Sequence, residues 1–214
     1  MAEFIWIGHA AFKIKNCDGK IIYFDPWINN NPVTNENTSG INNADIIFVT
    51  HGHIDHFGDS IEILKKTQAI LVSTPEICNF CKKEGISEEK LYPMHIGGVS
   101  EIKGIKTRIV YANHMAEIYY SGKVFPGAGC IGFILEIEQG VKVYFSGDTG
   151  IFGDMKIYAS LYKPNIVIFP IGGRYTMDPF EASVACSWIE PDYIIPIHYN
   201  AFLIKDKVKK NLKN

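Results

Sequence analysis

His51-Gly52-His53-Ile54-Asp55-His56 puts three imidazoles and a carboxylate within six residues. Such donors are what zinc and other divalent transition metals take, and catalytic zinc is typically held by three protein groups plus water. Four donors this close along the chain cannot all turn to one ion, so the spacing suits two: His51 with His53 for one metal, Asp55 with His56 for another. Short histidine clusters also occur in solvated turns and hydrogen-bonded cores. This one stands apart because it follows the short apolar run Asp45 to Thr50, which reads as a buried strand, and precedes Gly58 and an amphipathic helix over Asp59 to Lys66.

Two metal sites need more ligands than one motif offers. His114 follows the apolar run closing at Tyr111-Ala112-Asn113, Asp148 follows Val143-Tyr144-Phe145-Ser146-Gly147, and His198 follows Ile194-Ile195-Pro196-Ile197. Each ends a predicted strand, the position from which α/β folds present their sites. A lone histidine or aspartate there more commonly caps a turn. Five of the seven histidines at strand ends instead point to one shared site, with His51, His53 and His114 on one metal, Asp55, His56 and His198 on the other, and Asp148 bridging. The expected cofactors are two divalent ions, zinc foremost, with manganese or iron admitted by the same mixed ligands. A hydroxide bridged between them is a nucleophile at neutral pH, while an ion polarises the scissile oxygen. The function expected is hydrolysis of a small ester, lactone or phosphodiester, with Asp55 and Asp148 as catalytic carboxylates. Neither a Ser-His-Asp signature nor a phosphate-binding glycine loop competes with it; Gly172-Gly173 and Gly127-Ala128-Gly129 read as turns.

The elements that must position these residues follow from periodicity and turn chemistry. Phe4 to Ile14 and Lys20 to Asp25 read as paired strands around the tight-turn signal Asp18-Gly19, and Asn29 to Asn43 as a polar loop. Ala69 to Ser73 is a predicted strand, and Pro75 to Lys83 a predicted helix started by Thr74. Val99 to Ile102 with Ile105 to Tyr111, and Gly132 to Ile137 with Val141 to Ser146, form predicted hairpins. A helix over Asp154 to Tyr162, a strand at Ile166 to Pro170, a helix over Pro179 to Trp188 and a strand at Tyr193 to Ile197 follow. Two blocks of strands, each closed by helix and strand, predict an α/β fold: a four-layer αββα sandwich of two mixed sheets with helices outside. The whole of 1–214 reads as a single domain with a polar, basic tail at about 205–214.

These motifs together resemble the metallo-β-lactamase superfamily. More narrowly, Trp6-Ile7-Gly8-His9-Ala10, Phe24-Asp25-Pro26, Pro93-Met94-His95-Ile96-Gly97-Gly98, Gly147-Asp148-Thr149, Pro170-Ile171-Gly172-Gly173 and Pro196-Ile197-His198-Tyr199-Asn200 resemble a group of metal-dependent hydrolases related to ascorbate-6-phosphate lactonases and N-acyl-phosphatidylethanolamine phospholipases. The resemblance implies the αββα fold, a dinuclear site, and His51, His53, Asp55, His56, His114, Asp148 and His198 as its ligands. It also implies that Asp25 orients a metal-bound histidine. His9, at a turn after the first strand, is a candidate for hydrogen bonding behind the ligands. Arg174 is another supporting candidate, and with Tyr175 and an aromatic loop over Tyr119 to Phe125 it is expected to line a pocket for a small, anionic substrate. His95 is expected to be a buried, hydrogen-bonded imidazole. Cys78 and Cys81, a lone C-x-x-C, are expected to pack within a helix.

Composition narrows the partners. With 21 basic and 23 acidic residues the net charge is −2, which leaves no electrostatic footprint for nucleic acid. No run approaches the roughly eighteen apolar residues of a membrane span, and no signal peptide is apparent. Five scattered cysteines suit reduced thiols, and the protein is expected to be cytoplasmic, with a homo-oligomer admitted. The rivals are a nuclease of the same superfamily and a non-catalytic metal-binding module.

Overall fold

The computed structural model describes residues 2–199, framed by two six-stranded sheets. The first runs in chain order: β1 (Glu3–Gly8), β2 (Ala11–Lys15), β3 (Ile21–Phe24), β4 (Ile46–Phe48), β5 (Ile70–Ser73) and β6 (Leu91–Pro93). The first three strands pair antiparallel and the rest parallel. Parallel neighbours need long crossovers, supplied after β4 by α1 (Ile54–Phe57) and α2 (Ser60–Lys66), and after β5 by α3 (Pro75–Lys83).

The second half holds β7 (Val99–Ile102), β8 (Ile105–Tyr111), the separate hairpin β9 (Ile118–Tyr120) and β10 (Lys123–Phe125), then β11 (Ile131–Glu138), β12 (Val141–Phe145), α4 (Met155–Tyr162), β13 (Ile166–Pro170), α5 (Pro179–Ile189) and β14 (Tyr193–Ile197). The second sheet is ordered β14-β13-β12-β11-β8-β7. α5 opens with a capping box, in which the Asp178 side chain accepts from the Glu181 N–H and Glu181 reaches back to the Asp178 backbone.

The core explains the layers. Phe12, Phe24 and Phe48 of the first sheet meet Phe133, Leu135 and Phe145 of the second, with Phe24 and Phe145 ring centroids 4.8 Å apart. Strand side chains alternate faces, so Ile47, between Ile46 and Phe48, points outward and packs with Ile63, Leu64, Ile77 and Phe80 of the helices. Tyr144, Val167 and Phe169 likewise meet Met155, Ala182, Ala185 and Ile189. Burial on both faces is why β4 and β13 read as unbroken apolar runs. The architecture is the four-layer αββα sandwich.

Several local expectations need correction. Phe4 to Ile14 divides into two strands at the turn expected at His9, where Gly8 and His9 have φ angles of 149° and 55°. Tyr119 to Phe125 is not an open loop: Ser121 and Gly122, at φ 49° and 74°, make a hairpin turn between β9 and β10. There Tyr120 and Phe125 pack on Phe80. His95 is exposed, in a turn where the Gly98 N–H reaches its carbonyl. Thr74 stands at the N-terminus of α3 but makes no side-chain cap. Cys78 and Cys81 are buried in α3, where they pack with Ile77 and Phe80. The basic tail at 205–214 lies outside the described residues. No described helix is long and apolar enough to cross a membrane.

Candidate metal centre

The site grows from the exit of β4. Thr50 and His51 are fully buried behind Phe48 and Val49, and the chain then passes close under β9. A Cβ on Gly52 would stand 2.6 Å from the Glu117 carbonyl oxygen and the Ile118 Cα, so this position of the motif admits only glycine. His53 precedes the single turn of α1, which directs Asp55 and His56 inward while Ile54 stays 64% exposed. The ends of β8, β12 and β14 bring His114, Asp148 and His198 to the same edge. Backbone hydrogen bonds join the two sheets there: Ile131 N–H to Thr50 O at 3.1 Å and His198 N–H to His9 O at 3.0 Å.

Two groups result. His51 Nε2 lies 3.0 Å from His53 Nδ1, which lies 3.5 Å from His114 Nε2. Nitrogens around an ion with bonds of about 2.0–2.1 Å stand roughly 3.3 Å apart in a tetrahedral arrangement, so this trio matches the spacing of a metal site. In the second group Asp55 Oδ2 is 3.6 Å from His198 Nε2 and 3.8 Å from His56 Nε2. Asp148 lies between: its Oδ2 is 3.0 Å from His198 Nε2 and 3.9 Å from His114 Nε2, and its Oδ1 is 3.3 Å from His56 Nε2. All seven residues read from the sequence as ligands meet here.

The donor chemistry fits a cation. His56 Nε2 and Asp148 Oδ1 are buried 3.3 Å apart and make no hydrogen bond of good geometry, so each has a lone pair or proton position open to a further partner. Burial pushes His51 well below its ordinary pKa and lowers His53 and His114 too, which keeps the trio neutral with lone pairs available. In the second group burial also opposes charge, but the carboxylates outweigh it. Asp148, Asp25 and Asp55 raise His56 well above its usual value, and Asp148 and Asp55 raise His198 to about 9. Burial likewise works to protonate Asp55 and Asp148, yet His56 and His198 hold both well below the carboxylate range. Buried anions here demand positive charge, which protons supply in the absence of metal and a divalent ion would supply in their place.

Supporting contacts fix how the rings face. Asp25 Oδ2 is 2.8 Å from His56 Nδ1 and accepts the Thr50 hydroxyl at 2.7 Å, while its Oδ1 accepts the Thr50 N–H at 2.8 Å. With its proton committed to Asp25, the Thr50 hydroxyl accepts from His51 Nδ1 at 2.9 Å, leaving His51 Nε2 for a metal. His9 Nε2 meets Asp55 Oδ2 at 2.9 Å, and the His9 and His198 rings are 3.9 Å apart. Burial lowers the His9 pKa, although Asp55 opposes this. Arg174, expected beside the ligands, is instead exposed, with its guanidinium 5.1 Å from the centre of the Tyr175 ring. Two contributors escaped the sequence reading. Thr50 was visible as a polar residue closing a buried strand, whereas Cys130, 3.4 Å from His51 Nδ1, comes from 79 residues away with no local signal.

Above the two groups is a cavity of about 270 Å³, its lining shared between the site's ionisable residues and Ile54, Tyr119 and Tyr175. Cavities of about 300 and 550 Å³ elsewhere bring no histidine with them.

Fold and edge site together define the metallo-β-lactamase superfamily, and the sequence family described as a beta-lactamase superfamily domain matches residues 3–198. A UPF0173 metal-dependent hydrolase of Methanosphaera stadtmanae is 41% identical over 199 residues, 92% of this chain and 83% of that protein. The one from Methanosarcina mazei is 43% identical over 197 residues, again 92% and 83%. Igni18, described as a novel metallo hydrolase from the hyperthermophilic archaeon Ignicoccus hospitalis, superposes with a TM-score of 0.79 at 32% identity over 94% of this chain and 83% of that one. The chain belongs to the UPF0173 family.

Proposed function

We propose that this protein is a dinuclear metal-dependent hydrolase acting on a small ester, lactone or phosphodiester. The observation that carries the reading is Asp148, whose two carboxylate oxygens face His56 on one side and His198 and His114 on the other. His51, His53 and His114 would hold one ion and Asp55, His56 and His198 the second. Bound there, two divalent ions supply a water of lowered pKa and a Lewis acid for the scissile oxygen. Zinc suits the imidazole-rich first group, and manganese or iron suits the carboxylates of the second as well.

The chain's own part is positional. Asp25 and Thr50 direct His51 and His56, and His9 steadies the Asp55 carboxylate. Asp148 spans the two groups, and the cavity confines a substrate beside them. Near-balanced charge supports a small molecule over nucleic acid, and five cysteines without a disulfide support a cytoplasmic setting.

Elemental analysis with turnover on a panel of p-nitrophenyl esters, phosphodiesters and lactones tests the reading. Close to two ions per chain are expected, with Asp148→Ala losing both metal and activity and His9→Ala losing less of each. One ion or none in the folded protein would reject the dinuclear site.

A further inference from the structure

Ile54 stands between His53 and Asp55 in the ligand motif and is 64% exposed. Tyr175 is 55% exposed and Tyr119 38% exposed, and with Ile54 both line the cavity above the ligand groups. These three residues come from α1, the β9–β10 hairpin and the segment before α5. Exposed apolar groups gathered from separate elements at the mouth of a site mark a contact surface for something apolar.

Charge around the cavity points the same way. Among the described residues, no lysine or arginine lines it. Arg174 lies over Tyr175, while the Tyr119 hydroxyl donates to Glu117 at 3.0 Å, which places a carboxylate beside the same rim. Among the described residues, an anionic group extending from the scissile bond would meet no lysine or arginine in the lining itself, and Arg174 only outside it, against Tyr175.

Resting on the hydrolase reading, we propose that the substrate is a neutral carboxylic ester or lactone whose substituent, a short alkyl or aryl group, lies against Ile54, Tyr119 and Tyr175. Water adds to the acyl carbon, the acyl–oxygen bond breaks, and the proton from water passes to the departing alkoxide, giving acid and alcohol. Ile54 and Tyr175 are specificity-determining residues, and the anionic substrate expected from Arg174 is replaced by an uncharged one.

The test uses metal-loaded protein and p-nitrophenyl acetate, butyrate, hexanoate and hemisuccinate, the last close to butyrate in size but charged. Each added methylene should raise kcat/KM by about two- to fourfold until the cavity is filled, and butyrate should exceed hemisuccinate at least tenfold. Ile54→Ser should collapse the butyrate-over-acetate ratio toward one, mainly through KM, with metal content retained. Tyr175→Ser provides the same readout should the change next to Asp55 impair folding. Calorimetry with butyrophenone, which cannot be hydrolysed, reads the subsite without turnover. Hemisuccinate preferred over butyrate, or a flat chain-length series, overturns the proposal while leaving a hydrolase. Ketone binding weakened severalfold by Ile54→Ser, with no ester cleaved by protein carrying two ions, upholds the apolar subsite and rejects the hydrolase reading instead.

Discussion

The carboxylate of Asp25 touches His56 directly, at 2.8 Å, and reaches His51 through the Thr50 hydroxyl. One buried residue thereby sets the tautomer of two histidines that belong to different ligand groups. Asp25 itself has a φ of 42°, a conformation that aspartate and asparagine tolerate better than most residues.

Asp25→Asn is therefore expected to keep the fold and weaken both metal positions. An amide oxygen can still accept one hydrogen bond, but its NH₂ faces donors where a carboxylate faced none it could not satisfy. Loss of such a partner behind a ligand typically costs about 10- to 100-fold in metal affinity. Competition with a coloured chelator would show two weakened sites against unchanged circular dichroism. Weakening of one site alone would mean that Thr50 orients His51 without help.

How far the sequence reveals this protein depends on the range over which each feature is specified. β13 and α3 match their predicted bounds because an apolar run of strand length, or proline at a helix start, is a local signal. The seven ligand candidates share one property visible in the chain, their place at strand ends, and a layered fold brings such ends to one edge. The reversal at Gly8 and His9 was legible as a turn after the first strand, but the positive φ of His9 was not, because histidine seldom takes that conformation. His198 also has positive φ, at 60°, so with Asp25 three site residues hold a backbone form that only the surrounding packing enforces. The Asp25–Thr50–His51 chain joins atoms from two strands, and no spacing along the sequence encodes it.

Gly147 gives a second prediction. Its φ is 62°, and a Cβ there would stand 2.7 Å from the Cβ of Thr50. Gly147→Ala should lose roughly 2–4 kcal/mol of stability, since backbone strain and a core clash combine. It should also disturb the Thr50 hydroxyl and hence metal retention. Gly153→Ala is the control, because nothing lies within 4 Å of its added Cβ. Urea unfolding of both variants decides the matter: equal midpoints would show that β12 and β4 can separate at the site without cost.

The last prediction concerns the thiols. Cys17 is exposed, and the other four cysteines are buried. Burial pushes the Cys78 thiol up to about 12, and it raises Cys81, Cys130 and Cys186 as well. Cys17 is raised too, chiefly through its contact with Glu138. Because the thiolate is the reactive form, a raised pKa means that Cys17 reacts faster as pH increases, while access still bars the others. Ellman's reagent at pH 8 should titrate one thiol per native chain, and five after denaturation. Cys17→Ser should abolish the native signal, and Glu138→Gln should speed it at neutral pH. A second rapid equivalent that survives Cys17→Ser would show that α3, α5 or the β11 entrance opens in the native protein. Mapping that thiol to Cys130 would place the opening directly behind His51.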